Sequence, residues 1–496
     1  MVADMPEMQK RVLLVDPPAN ELCGLNTGLG WLAANIIPVV ETVKVLGLAN
    51  IICDLDEGLR LLKNKVRQIQ PDIVGFNIHC TTYQTTLVMI RALRTYFDGL
   101  IVIGGPHTAY ANESIMYDSP ETDLVVIGEA EVTFAEICKR DVNQYHDIDG
   151  VIFRDEDTLI HNPLGKKTAD FTNLAFPDYR LFGISKIHYP YPIATSRGCP
   201  FKCCFCNPFM GGGGWRPRPL EDVFAELNFA IETFDIKSFK LVEPVFNLRP
   251  RRVVDFCRGL QEAGIRLPWF SASGLRADTL TAESVKAMQQ AGCTHVKIGV
   301  ETLVPKIFKH VNKGESIADI KRAITIVKAA KMPIWGSFII GLPHDTMDTT
   351  MLNFELSKQL GMDFTEWSLL FPYPGTSAYE WMEQNGTIYH TIETAHQAAQ
   401  DSVSADDVHV ACDTPEFPRA ERIKAYYAIN WKSGNYFFSM QDPDWKKAVT
   451  ILRGILRYDP TRFLWHMRHI FKLLQMRSER RNKAGAMFDF KEGTFS

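Results

Sequence analysis

No part of this 496-residue chain is apolar for long. The most apolar stretch, Trp31 to Val40, is soon broken by Glu41 and Lys44. A bilayer span needs about 20 apolar residues, so no membrane span is expected. The first ten residues, MVADMPEMQK, hold two acids and no apolar segment, so no secretory signal is expected either. Charge of one sign is also lacking. Lys and Arg number 54 against 58 Asp and Glu, a formal net charge of -4. That balance argues against nucleic acid as a bulk partner. Cysteines are few and odd in number, 11 in all, which does not make a disulfide framework in a chain this long. Apolar residues at 46% and charged residues at 23% are ordinary for a globular protein. Disordered, collagen-like and disulfide-scaffold classes are therefore excluded. There is no internal repeat and no low-complexity tract apart from Gly211 to Gly214. These absences predict a soluble protein of a reducing cytoplasm, with free thiols and, by length, about three domains.

The pattern that is present is an alternation. RVLLVDPP (Arg11 to Pro18), VKVLGL, DIVGFNIH, LIVIGGPH and DLVVIGE read as short buried strands. GLGWLAANIIPVVE, with an expected break at Pro38, EGLRLLKNKVRQIQ and TTLVMIRALRTYF read as the helices between them. Such alternation predicts parallel βαβ units in a doubly wound α/β sheet over residues 1–145. Ligands of these sheets bind beyond the carboxyl ends of the strands. Here those ends carry Asp16-Pro17-Pro18, Asn77-Ile78-His79, Gly104-Gly105-Pro106-His107 and Gly128-Glu129. Residues 146–188, with a small hairpin and two prolines, read as a linker. A second β/α series fills 189–395: YPIATSRG, IKSFKLVE, PWFSASG, HVKIGVE, IWGSFIIGLP and TEWSLLFPYPG. Six strands with helices between most pairs fit a partial (β/α)6 barrel. Residues 396–496 lose the strand signal and read as a helical C-terminal domain. Within it, Trp445 to Arg481 carries a charge of +8, which leaves -12 for the rest.

The densest chemistry lies just after the first barrel strand. Cys199-Pro200-Phe201-Lys202-Cys203-Cys204-Phe205-Cys206 follows Thr195-Ser196-Arg197-Gly198. Thiolates at i, i+4 and i+7 of one loop can converge on a soft metal centre. A structural zinc site would want a fourth Cys or His, and no paired CxxC or HxxxH appears downstream. The bland alternative is four buried cysteines without a joint role, yet buried cysteines rarely crowd four into eight residues.

This CxxxCxxC loop resembles the signature of the radical S-adenosylmethionine (SAM) superfamily. The resemblance continues through Asn207-Pro208, Trp215-Arg216-Pro217-Arg218, Lys297 to Thr302, Asn312-Lys313-Gly314, Gly341-Leu342-Pro343 and Pro372 to Thr376. With the preceding α/β domain, residues 10 to 390 resemble the cobalamin-binding branch. That branch includes cobalamin-dependent C-methyltransferases and the anaerobic magnesium-protoporphyrin ester cyclase.

The resemblance implies cofactors and roles. Cys199, Cys203 and Cys206 would hold a [4Fe-4S] cluster with one iron open for SAM, and Cys204 would be a bystander. Glu243 would meet the SAM amino group, or else be a solvated strand-end acid. Glu301 would accept from the ribose hydroxyls. Arg276 would pair with the SAM carboxylate, or else be a surface arginine. Gly341 would leave room for adenine. Cobalamin would lie on the strand ends at His79, Gly104, Gly105, His107, Gly128 and Glu129. The familiar Asp-x-His-x-x-Gly cobalt-ligating signature is absent, and Asp54 to Gly58 holds no histidine. Many members of the branch lack it too, and contact with the corrin fits His79 and His107 better than cobalt ligation.

The leading expectation is therefore methylation of an unactivated carbon through a 5′-deoxyadenosyl radical and methylcobalamin. An external electron donor of flavodoxin or ferredoxin type would serve it, and the substrate would be a small molecule, lipid, tetrapyrrole or peptide. The runner-up is a non-methylating oxidative cyclisation. A non-catalytic binding module and a tRNA methylthiotransferase rank below these. The basic C-terminal segment reads as a packed amphipathic helix first, and as a lid or membrane-surface contact second.

Overall fold

The computed structural model of the chain describes residues 10–19, 24–51, 53–111, 113–141, 144–156, 158–164, 174–206, 214–389, 409–434, 445–468, 470, 487–491 and 494. It divides into two compact units. One is built from residues 1–198, 209–239 and 487–496, the other from 199–208 and 240–486.

The first unit runs β1 (Arg11–Asp16), α1 (Thr27–Ile36), β2 (Thr42–Gly47), α2 (Leu55–Ile69), β3 (Ile73–Asn77), α3 (Tyr83–Arg94) and β4 (Leu100–Gly104). It continues with two short helices, α4 (Thr108–Ala111) and α5 (Ser114–Asp118), then β5 (Leu124–Val126), α6 (Ala130–Lys139), β6 (Val151–Asp155) and β7 (Thr158–His161). The sheet order is β2-β1-β3-β4-β5-β6-β7, with β1 to β5 parallel and β6 and β7 antiparallel. Strands covered on both faces read as unbroken apolar runs, which is why these were visible in the sequence. Val12 to Val15 and Ile101 to Ile103 are at most 1% exposed. Helix α2 starts where the Asp54 side chain accepts from the Glu57 amide and ends at Gln70 in the left-handed region. Helix α1 ends at Ile36, and Pro38 falls in the 3-10 turn Ile37–Val39 that follows, as the expected break required.

Two expectations change here. The hairpin β6-β7 was read as part of a linker, but it extends the sheet beyond β5. Its inner residues Val151, Ile152 and Phe153 are buried, so pairing and burial hold it to the sheet. The C-terminal hundred residues are also not free of strand. After β8 (Ile184–Ile187), β9 (Tyr191–Ile193), β10 (Ser196–Arg197), β11 (Arg216–Pro217) and α7 (Leu220–Phe234), this unit is closed by Phe488–Phe490, which pairs antiparallel with β8.

The second unit holds β12 (Phe239–Leu241), α8 (Pro250–Glu262), β13 (Trp269–Ser271), α9 (Ala282–Gln290), β14 (Val296–Glu301), α10 (Pro305–Val311), α11 (Ile317–Ala329), β15 (Ile334–Ile340), α12 (Met347–Leu360) and β16 (Phe364–Leu369). Strands β14, β15 and β16 are parallel neighbours, and parallel bridges at Trp269–Cys293 and Leu275–Ile298 join β13 to β14. Then come α13 (Ser377–Asn385), β17 (Thr387–Ile388), β18 (Cys412–Asp413), α14 (Arg419–Ser433) and α15 (Trp445–Tyr458). Capping boxes open α9, α11 and α12 at Thr281, Ser316 and Thr346. Such β/α order puts functional side chains at the carboxyl ends of the strands.

Candidate functional site

The cysteine loop belongs to the second unit and is fixed from three sides. Cys204 is 4% exposed and packs with Val311, Leu342, Leu370, Met382 and Cys412. Its amide donates to the Val311 carbonyl at 2.9 Å, and its carbonyl accepts from the Ala378 amide at 2.9 Å. The cysteine expected to be a bystander is thus the anchor of the loop. The Asn312 side chain donates to the Lys202 carbonyl at 3.1 Å. The Arg276 guanidinium lies 3.4 Å from the ring centre of Phe201.

With Cys204 turned inward, Cys199 and Cys203 are half-buried and Cys206 is exposed. Burial pushes the Cys203 thiol up to about 12, Lys313 opposes, and Cys206, Glu301 and Cys199 add to the rise. The three thiols therefore act on one another electrostatically, and binding metal there requires displacing protons. Among the described residues no group of three His, Cys, Asp or Glu side chains, the three loop cysteines included, is gathered closely enough to hold a single metal ion. Three loop thiolates without a fourth ligand instead suit an iron–sulfur cluster with one iron left open. Asn207 to Gly213, the continuation of the motif, lie outside the described residues.

Glu301 ends β14 on a register shift against β15 and sits at φ 62°, unusual for a side chain other than glycine. Its carboxylate is 3.1 Å from the Lys313 ammonium, which is also 3.0 Å from Glu315 and donates to the Gly299 carbonyl. Burial opposes the charge on Lys313, but Glu301 and Glu315 hold its pKa above the ordinary value. Sequence reading named Glu301 but missed Lys313 and Glu315. The Asn312-Lys313-Gly314 motif was the signal that could have found the lysine.

Two expectations at this site are corrected. Arg276 is 6% exposed rather than a surface residue, and its donors are engaged. It binds Asp278 through two contacts of 2.9 Å and the Lys313 carbonyl at 2.8 Å, and lies 3.9 Å from Glu315. This leaves it holding the cysteine loop through Phe201 rather than offering a free fork to a carboxylate. Gly341 does end β15, at φ 85°, but the room that its missing side chain leaves is filled by Arg422 of α14. Arg422 is 1% exposed and donates to the carbonyls of Gly341 at 3.2 Å and Phe417 at 2.9 Å. The Gly341 amide donates to buried Asp345 at 2.8 Å. Nothing local in the sequence pointed to Arg422, because its contact to Gly341 spans 81 residues. Glu243 follows β12 and is 2% exposed, so it is not the solvated strand-end acid of the bland reading.

In the first unit the strand order reverses between β1 and β3, the usual crevice of a doubly wound sheet. Asp16 and Asn77 end these two strands. Oδ1 of Asp16 accepts from Asn77 at 3.0 Å and from Asn26, the N-cap of α1, at 2.9 Å. Burial raises Asp16 to about 6, against the pull of both amides. A side chain at Gly104 would meet nothing within 4 Å, and one at Gly128 only Leu164 at 3.9 Å. Gly105, at φ 109°, approaches the Asn77 side chain and the Ile78 backbone too closely for any side chain. His79 is exposed. His107 is 1% exposed, with its ring 4.8 Å edge-on from Tyr83, which makes it a packed core residue. Glu129 pairs with Arg216 at 2.9 Å and lies 3.9 Å from Arg197, so its carboxylate is already engaged. Arg197 and Arg218 lie 5.1 and 5.0 Å from the ring centre of Trp31.

Comparison with known families agrees with both halves of this geometry. The radical SAM superfamily matches residues 193–354, and the B12 binding domain matches residues 47–138. The chain is a radical SAM enzyme with a B12-binding domain. Its cofactors are accordingly a [4Fe-4S] cluster, SAM and cobalamin. An uncharacterized methyltransferase of Pyrococcus horikoshii is 26% identical over 394 residues, which cover 76% of this chain and 84% of that protein. The anaerobic magnesium-protoporphyrin IX monomethyl ester cyclase of Cereibacter sphaeroides is 23% identical over 333 residues, covering 64% of this chain and 54% of the cyclase. The chain thus spans about half the length of that cyclase. Among solved structures, the radical S-adenosylmethionine methyltransferase TsrM of Kitasatospora setae, with cobalamin and a [4Fe-4S] cluster bound, superposes with a TM-score of 0.70 at 17% identity. The match covers 95% of this chain and all of that one, a likeness of fold.

Proposed function

We propose that this radical SAM enzyme is a cobalamin-dependent methyltransferase that places a methyl group on an unactivated carbon of a small molecule. The observation that carries this reading is an intact Cys199/Cys203/Cys206 loop and a B12-binding domain in one chain. When bound, the cofactors supply a one-electron cleavage of SAM and a carrier for a methyl group. The chain supplies the rest. Cys199, Cys203 and Cys206 offer the thiolates, with Cys204 holding the loop in the core. Glu301, fixed by Lys313, would accept from the ribose hydroxyls of SAM, and Glu243 would accept from its methionyl amine. Gly104 and Gly128 would present bare backbone to the corrin, with Gly105 packed on Asn77 and Ile78 between them and exposed His79 as a further contact. The electron comes from a donor of flavodoxin or ferredoxin type.

A product assay tests this. Reconstituted protein with cobalamin, SAM and a one-electron reductant, held without oxygen, is expected to form both S-adenosylhomocysteine and 5′-deoxyadenosine once substrate is present. Formation of 5′-deoxyadenosine alone would turn the assignment to the runner-up, a non-methylating cyclisation, which the likeness to the ester cyclase keeps in view.

A membrane-surface contact of the basic C-terminal segment is a weaker companion proposal. Leu452, Leu456, Leu464, Trp465 and Met467 are exposed among Arg453, Arg457 and Arg468. The other end of that segment, 471–481, lies outside the described residues, and no described helix is long and apolar enough to cross a membrane. Binding to anionic vesicles but not to neutral ones would support the contact.

A further inference from the structure

Helix α10 has one face in the core and one in solvent. Ile307 and Val311 are buried with Cys204, while Lys306, Lys309 and His310 share the opposite face and are exposed. Lys202 of the cysteine loop is exposed as well. Loop and helix are bonded where α10 ends: the Cys204 amide donates to the Val311 carbonyl at 2.9 Å, and the Asn312 side chain to the Lys202 carbonyl at 3.1 Å. Three exposed ammonium groups therefore belong to the same corner of the second unit as exposed Cys206. Among the described residues none of the three has a carboxylate partner, whereas buried Lys313 has two.

The stability of α10 does not account for this charge. Lys309 and His310 lie in its last turn, where the helix dipole favours cations. Lys306 lies in the first turn, where the dipole disfavours a cation and no acid compensates it. Like charges three and four residues apart also repel. The surrounding field is positive too. The His310 ring centre is 4.2 Å from that of His344, which burial holds below its ordinary pKa; His310 and Lys306 lower it further than Glu416 raises it.

We propose that α10 and Lys202 form the docking face for an acidic one-electron carrier protein. This rests on the reading of Cys199, Cys203 and Cys206 as cluster ligands fed by an external donor, and it assigns the surface on which that donor sits. Charge complementarity selects the partner and the place. The chain as a whole carries -4, so an acidic protein is drawn to it only where cations gather. Here they gather beside the loop that must receive the electron. The exchange is one electron only: the carrier is oxidised by one, the group held by the loop is reduced by one, and no bond or proton changes hands.

The test is calorimetric binding of oxidised flavodoxin, an acidic flavin carrier, to the reconstituted full-length protein at low and at high salt. Wild type is expected to lose about tenfold in affinity as salt rises, because exposed charges are screened. The double variant K306E/K309E is expected to bind about a hundredfold more weakly at low salt and to lose that salt dependence. K306Q/K309Q, which removes the charge without reversing it, should fall between the two, and it carries the test if the reversal does not fold. The second readout is 5′-deoxyadenosine formation. With reduced flavodoxin limiting, K306E/K309E should be about tenfold slower than wild type. With excess dithionite, which needs no docking face, the two should match. Wild type that does not bind flavodoxin, or binds it equally at both salt levels, overturns the proposal. So does wild-type affinity in the variants, which would put the carrier elsewhere, as on the basic C-terminal segment. Equal slowing with both reductants overturns it as well, since the lysines would then act on the fold. A wild-type protein that forms no 5′-deoxyadenosine even with SAM and excess dithionite overturns the cluster reading itself, whatever flavodoxin does.

Discussion

The two units finish their parallel strands in opposite ways. In the first, β4 ends at Gly104 with open space above it, and Gly128 after β5 is nearly as bare. The buried acid of this crevice, Asp16, is held by two neutral amides. In the second, the strand ends are crowded with fixed charge: Glu301, Lys313, Glu315, Arg276 and Asp278 form one network, and Arg422 fills the space at Gly341. Bare backbone and neutral amides suit a wide ligand recognised by area and shape. Preset charges suit a small zwitterion whose reacting bond must be aligned, because they need no rearrangement when it arrives. One crevice is therefore shaped to accept bulk and the other to impose orientation.

The sharpest break of this comparison is inside the cysteine loop. Cys203→Ala is expected to lower SAM cleavage more than about a thousandfold, to background, since the open-iron site needs all three thiolates. Cys204→Ala removes a buried thiol from an apolar cluster and should destabilise the protein by about 1–2 kcal/mol while leaving cleavage measurable. Iron content and 5′-deoxyadenosine formation separate the two. Equal loss of cluster from both variants would mean that Cys204 is a ligand, and the assignment of anchor and ligands would need redrawing.

How much of this was legible beforehand follows from the same contrast. Strands β1 to β5 could be read because each is covered on both faces, so its pattern is a plain apolar run. The cysteine loop could be read because three ligands fall within eight residues. The charged network could not. Arg276, Lys313 and Glu315 are scattered in sequence, and a buried arginine looks like any surface arginine until its partners are known. Gly341 was identified, but with the wrong neighbour, since a glycine reports only that something comes close. The strands at Cys412–Asp413 and Phe488–Phe490 are two and three residues long and carry no periodicity to detect. The hairpin β6-β7 was visible as a hairpin, but its place in the sheet depends on pairing with β5, which is a tertiary fact.

Arg422 sharpens the crowded side. Arg422→Met should lower stability by about 3 kcal/mol, because it removes charge-assisted hydrogen bonds to the Gly341 and Phe417 carbonyls. It also removes the charge that faces Asp345, whose pKa burial already raises. Thermal unfolding checks the size. If Arg422→Met is as stable as the wild type, the turn after β15 is held by Asp345 alone.

Asp16 sharpens the open side, with the opposite sign. Its pKa is 3.8 in the ordinary state and about 6 when folded, so the fold favours its protonated form. The stability that this contributes is present below 3.8 and is lost as pH rises through about 6. Asp16→Asn keeps an oxygen acceptor for both Asn26 and Asn77. It should therefore stabilise the protein at pH 7 by about 3 kcal/mol, given 1.36 kcal/mol per unit, and flatten the decline between pH 4 and 6. Urea unfolding at both ends of that range measures it. A variant less stable than wild type at pH 7 would show that the charged form is wanted there.

The smallest effect belongs to His79. It is exposed after β3, and its backbone amide donates to the Thr82 hydroxyl at 3.1 Å. Replacing it by Ala should change stability by less than about 0.5 kcal/mol, as for other surface positions. The informative readout is the visible spectrum of bound cobalamin. If the open crevice holds the corrin by area and backbone, the spectrum of His79→Ala matches the wild type. If an imidazole nitrogen sits on cobalt, its loss shifts the corrin bands, and the first unit would then impose a directed bond just as the second does.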